Sequence, residues 1–224
     1  LNLMKGGFRL PTRLAAKDEK FIYQLCNNIR KGDGNSVTRN IGAELQENSQ
    51  KFQTWCMYRN IIQRDFDYDQ ATLANLSDTA AWKTQLPPDP SDTQVGPFED
   101  RGDRRVWFEA IRNYLGQKKG ASGMPIFNGI RPDAAVPTPA DDPGFGLPGF
   151  DDELYFRGRH NGTFWRADNA MIWQLLWKVC HGTTAWNTIS SFETAKNGRG
   201  AMLALLRQYM GSDVQGILIR HAET

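Results

Sequence analysis

Cysteine is scarce in this 224-residue chain, and the three present do not pair up. Cys26, Cys56 and Cys180 are odd in number, far apart and set in apolar runs. That pattern excludes a disulfide framework and predicts reduced, buried thiols, hence a reducing, cytoplasmic setting. No pair has metal-ligand spacing, so no metal site is expected. Long apolar runs are missing as well. Nothing approaches the roughly 18–20 uninterrupted apolar residues of a membrane span. An excess of one charge is also absent: 27 Lys and Arg stand against 25 Asp and Glu, for a net charge of +2. The surplus lies in residues 1–120 (18 against 15) and is too small to argue for nucleic-acid binding by charge alone. There is no Walker loop, dinucleotide fingerprint or Gly-x-Ser-x-Gly elbow, so neither cofactor nor catalysis is expected.

What the chain does have is apolar and aromatic content, 40% and 11%, enough to bury a core. Its periodicity is helical. Ile172, Leu175, Leu176 and Val179 fall at i, i+3, i+4 and i+7, with Asp168 or Asn169 as a candidate N-cap and His181-Gly182 as the stop. Thr184 can cap a helix over 185–192 with Trp186, Ile189 and Phe192 on one side. Met202, Leu205, Leu206 and Tyr209 repeat the spacing, and Ser212-Asp213 opens a last segment with Val214, Ile217 and Leu218. Earlier helices are predicted over Thr12–Ile29, Thr38–Arg64 and Arg104–Leu115, with one or two short ones around Leu73, Leu76 and Trp82.

Two stretches break the pattern. Lys31–Asn35 reads as a loop, and Leu86-Pro87-Pro88-Asp89-Pro90 stops regular structure until about Glu99. From Gly116 to Pro148 the chain becomes Pro/Gly-rich, the composition of a linker or a long ordered loop. The expected fold is therefore all-α, with two small helical lobes. The N-terminal lobe spans 1–118, the Pro/Gly-rich connection 119–149 and the C-terminal lobe 150–224. With no signal-peptide pattern at Leu1 and a helix-like run at the other end, the chain is expected to be a fragment of a longer protein. An internal echo, in which Arg104-x7-Arg112-Asn113-Tyr114-Leu115-Gly116 matches Arg199-x7-Arg207-Gln208-Tyr209-Met210-Gly211, reads either as a chance likeness of two amphipathic helices ending in Tyr-apolar-Gly or as a duplicated helical unit, which would fit two lobes.

Few residues invite chemistry. Arg157, Arg159 and His160 form a basic loop suited to phosphate or RNA contact. Asp151-Asp152-Glu153 reads as the acidic first turn of a helix. Ile217–Thr224 resembles the Arg-His signature of the histidine phosphatases, which ends a first β-strand. Here the preceding residues read as helices and the segment fits an amphipathic helix face. Of seven tryptophans most suit core positions, while Trp173 and Trp177 flank the main apolar stripe and are candidates for a protein–protein interface.

Five spaced runs together carry a resemblance. They are Asp141-Asp142-Pro143-Gly144-Phe145-Gly146-Leu147-Pro148, Arg157-Gly158-Arg159-His160-x-Gly162, Asp168-Asn169-x3-Trp173-x-Leu175-Leu176, Cys180-His181-Gly182-Thr183-x-Ala185-Trp186-x2-Ile189-x2-Phe192 and Gly198-Arg199-x-Ala201-x2-Ala204-Leu205-x3-Tyr209-Met210-Gly211. Residues 141–224 thereby resemble Gag-type capsid proteins of copia-like LTR retrotransposons, of the kind found in diatoms and other microalgae. The resemblance implies an all-helical, non-catalytic structural protein that self-associates into a shell around the element's RNA. It further implies that Arg199 bonds neighbouring carbonyls and that the alanines let helices approach closely. The chain lacks the Cys/His zinc knuckle, so RNA contact falls to basic loops. A helical adaptor that binds nucleic acid or protein is the alternative expectation.

Overall fold

The computed structural model describes residues 20, 21, 24, 39–62, 70–91, 93–131 and 149–210. Among these residues the chain is all-α, with a lone antiparallel bridge between Lys119 and Pro125 and no strand. The helices are α1 (Arg39–Ile61), α2 (Leu73–Gln85), α3 (Arg104–Gln117), α4 (Phe150–Arg157), α5 (Gly162–Cys180), α6 (Trp186–Ile189) and α7 (Gly198–Met210). Short 3-10 turns occupy Phe127–Ile130 and Ser190–Phe192. Lys20, Phe21 and Gln24 are helical. The rest of the expected Thr12–Ile29 helix, the Lys31–Asn35 loop and everything after Met210, including Arg220-His221, lie outside the described residues.

The chain divides into two compact units, Leu1–Gln85 and Leu86–Thr224. In the first, α1 packs on α2. Trp55, Tyr58 and Ile62 of the α1 side are buried, as are Leu76 and Thr79 of α2. Tyr58 meets Trp82 edge-to-face at 5.4 Å, and the Arg59 guanidinium lies 5.4 Å over the Trp55 ring. Such aromatic and cation–π contacts add to what burial of these residues contributes.

The division falls at Gln85/Leu86 and not in the expected 119–149 connection. The reason is α3. Its stripe Phe108, Ile111 and Leu115 lies in one core with Ile172, Leu176 and Val179 of α5 and Met202, Leu205 and Leu206 of α7. The residues after α3 follow it inward: Met124, Ile126 and Ile130 are buried. Residues 119–131 therefore belong to the core of the second unit, through a turn in which Gly123 adopts φ +73. Residues 132–148 lie outside the described residues. Because α3 and α7 share this unit, the sequence echo between them does not mark two lobes.

The proline run behaves as predicted, since among the described residues no helix occurs between Gln85 and Arg104. Its end is pinned by the Phe98 N–H donating to Val179 O at 2.7 Å, with the Phe98 ring against Trp107 and Tyr209 at 5.1 and 4.7 Å. Asp103 then caps α3, its carboxylate accepting from the Arg105 and Val106 N–H groups.

Helix α5 starts six residues before the expected cap at Asp168, at Gly162 after Asn161. Asp168 and Asn169 are mid-helix, and their side chains reach sideways to other elements. The predicted stripe is otherwise intact: Ile172, Leu175, Leu176 and Val179 are buried. At about 1.5–3 kcal/mol per fully buried aliphatic side chain, these four contribute roughly 6–12 kcal/mol as an upper bound. The helix stops as expected, with the His181 N–H donating to Trp177 O and Gly182 at φ +79. The predicted 185–192 helix is realised as α6 plus a 3-10 turn.

Candidate functional site

Some of the residues that carry the sequence resemblance, Asn169, Trp173, Gly198 and Arg199, meet where α5 and α7 pack beside the Phe127–Ile130 turn and the end of α4. Asn169 Oδ1 accepts from the Arg199 N–H at 2.7 Å, and Asn197 Oδ1 accepts from the Gly200 N–H at 3.0 Å. These two bonds satisfy first-turn donors of α7, which its own backbone leaves open. The two amides are themselves joined at 3.2 Å. Close contact reinforces the link. A methyl carbon placed at Gly198 would stand 2.3 Å from Trp173 N and 2.5 Å from Asn169 O, so α7 approaches α5 backbone to backbone there.

Two arginines extend this junction. Arg199 Nη2 donates to the Arg131 carbonyl at 2.7 Å, in line with the expectation that Arg199 bonds neighbouring carbonyls. Arg131 in turn sends Nη1 to the carbonyls of Tyr155 (2.8 Å) and Phe156, and Nη2 to Gly158 O at 3.1 Å. Its guanidinium thus closes the C-terminal end of α4, where carbonyls are otherwise open and the helix dipole favours a cation. Sequence reasoning missed Arg131, which sits in the Pro/Gly-rich stretch. On α5, Asp168 Oδ1 accepts from the Ala121 N–H at 2.8 Å. Burial pushes the Asp168 carboxyl above its ordinary value, and this backbone bond opposes the rise.

The predicted RNA-contact residues border the same junction. His160 donates from Nε2 to Asn128 O at 2.9 Å and its ring lies 4.7 Å from that of Trp165. Arg157 Nε is 4.0 Å from Glu153, with a side chain only 15% exposed. Arg159 is half-buried, and its Nε is enclosed without a hydrogen-bond partner. These three residues do not form the solvent-facing basic grip the sequence suggested. The chain folds back on Asn128 just after α4, and Gly158 packs so tightly there that a Cβ would lie 2.3 Å from Asn128 Nδ2.

The tryptophan pair separates. Trp173 is 4% exposed and belongs to the core, against Trp186 at 6.1 Å, so it is no surface anchor. Trp177 is 43% exposed. Four residues on, about 40° further round α5, position 177 falls at the edge of the buried stripe, and its indole stacks on the His181 imidazole at 4.8 Å and 27°. His181 is backed by Trp186 at 5.1 Å. Trp177 is therefore presented on a supported surface.

A polar cleft of about 570 Å³ opens beside α3. Leu86, Pro87, Phe127 and Asp151 line it together with Glu109, Arg112, Asn113, Gly116 and Gln117 of α3. No local pattern marks it, because its residues are spread over 66 positions from 86 to 151. Among the described residues no group of three or more His, Cys, Asp or Glu is placed to hold a metal ion, and no helix is long and apolar enough to cross a membrane. The Cys56 and Cys180 thiols are both pushed up to about 12 by burial, which keeps them protonated near neutral pH.

In comparisons with family models, curated proteins and solved structures, none matches this chain.

Proposed function

We propose that this chain is a non-catalytic structural protein of the Gag/capsid type, which self-assembles in the cytoplasm into a shell around retroelement RNA. One observation carries the reading: the use made of the family-like residues. Asn169, Trp173, Gly198, Arg199 and Ala201 are spent on capping and close packing between α5 and α7. They fix the separation and register of two helices. A signature of that kind suits a protein whose work is to hold a shape. Trp177 supplies the contact between copies, as a rigid aromatic anchor of the sort that dominates protein interfaces. RNA contact then falls to basic residues other than the Arg157–His160 loop.

The test is light scattering and electron microscopy of the purified full chain over a range of protein and salt concentrations. Large particles that grow with concentration, and that shrink or disappear in Trp177→Ala with α-helical content retained, are expected. A chain that stays monomeric throughout would overturn assembly and favour the adaptor reading.

A further inference from the structure

The cleft beside α3 plays no part in the packing junction and is independent of the assembly reading. Its volume, about 570 Å³, falls within the roughly 300–1,000 Å³ of small-ligand sites. Its cation is Arg112. The side chain is half-buried, and no described residue gives its guanidinium a hydrogen bond or ion pair. One position on, Asn113 adds a carboxamide, and a turn later Gln117 adds another. The space beside Gly116 is open, since a Cβ there would meet nothing within 4 Å. Phe127 also lines the cleft, its ring held by stacking on buried Tyr155 at 5.2 Å and 17°. Two acids share the lining: Asp151, and Glu109, which is bonded to Arg105 at 3.2 Å.

A guanidinium held partly out of water is complementary to a planar anion, which its fork can bind through two N–H groups. The acids decide which anion. A phosphate monoester brings close to two negative charges, and Arg112 attracts the second charge while Glu109 and Asp151 both repel it; with two acids to one guanidinium the added charge gains less than it loses. The aromatic wall decides the rest of the ligand, since it rewards an apolar or aromatic body. We propose that this cleft binds a monocarboxylate with such a body, the carboxylate on Arg112 with Asn113 and Gln117 donating, and the body against Phe127. The same chemistry is offered by a free aryl or alkyl carboxylic acid and by an acidic side chain next to an aromatic residue in a peptide.

The experiment titrates the full chain with phenylacetate, N-acetyl-glutamyl-phenylalaninamide and phenyl phosphate, followed by calorimetry and by chemical-shift changes. Saturable binding of a carboxylate is expected, at least several-fold tighter than phenyl phosphate. Tighter phenylacetate identifies the free acid as the source, and a tighter peptide identifies a protein segment. Arg112→Gln should weaken binding roughly tenfold or more, the scale of a lost charge-assisted bond, while Arg112→Lys recovers part of it. Glu109→Gln should narrow the gap to phenyl phosphate. The inference fails if neither carboxylate binds, if phenyl phosphate binds as tightly, or if Arg112→Gln, melting like the parent, binds unchanged.

Discussion

Two glycines in helices separate close packing from helix propensity, and their alanine variants are expected to move stability in opposite directions. At Gly198 the added carbon would lie 2.3 Å from Trp173 N, 2.5 Å from Asn169 O and 2.7 Å from Ile172 Cβ. The first two are backbone atoms in the middle of α5 and cannot turn aside as a side chain would. Relief requires α7 to move off α5, which strains the 2.7 Å cap from Asn169 to the Arg199 N–H. Overpacking of this sort costs about 1–3 kcal/mol, and losing a cap costs about 1 more. The gain in helix propensity returns at most ~1 kcal/mol. Gly198→Ala should therefore destabilise the second unit by about 2 kcal/mol, or roughly 5–10 °C for a unit of this size. Gly116 lies in α3 with open space at its Cβ, so Gly116→Ala should stabilise by up to ~1 kcal/mol. Urea and thermal unfolding of the full chain, read by near-UV circular dichroism, give both values. A Gly198→Ala chain as stable as its parent would refute the backbone-to-backbone contact.

Asp168 links stability to pH. Burial raises its carboxyl above the ordinary value in the folded chain, so the unfolded chain releases its proton first and stability falls as pH rises from about 4 through the folded value. Asp168→Asn keeps an acceptor for the Ala121 N–H without the charge. It should be more stable than the parent at pH 7, with the difference closing at acid pH; a variant less stable at pH 7 would contradict this. The thiols give a second titration. With Cys56 and Cys180 at about 12, the unfolded thiols ionise first, and stability should decline between about pH 9 and 12. In a Cys26→Ser chain at pH 8, Ellman's reagent should leave buried Cys180 unlabelled until denaturant is added and label half-buried Cys56 more slowly than in the unfolded chain. Fast native labelling of Cys180 would show that it is accessible.

The sequence by itself determined the helices and which faces they bury. The stripes at 172–179 and 202–209, the stop at His181-Gly182 and the gap after Gln85 follow from spacing, glycine and proline, all local properties of the chain. What it misassigned depended on partners distant in sequence. Asp168 and Asn169 have the chemistry of helix caps, and Asn169 does cap a helix, yet it caps α7, some 30 positions away, and not its own. Arg131 looked like part of a linker until the carbonyls at the end of α4 gave it acceptors. Trp173 and Trp177, four residues apart and alike in composition, were separated only when α6 covered one and left the other outside. The same holds for the unit boundary and the Arg112 cleft. Periodicity fixes what a helix wants to bury, whereas tertiary packing alone decides which neighbour covers it and which polar group is left facing an open space.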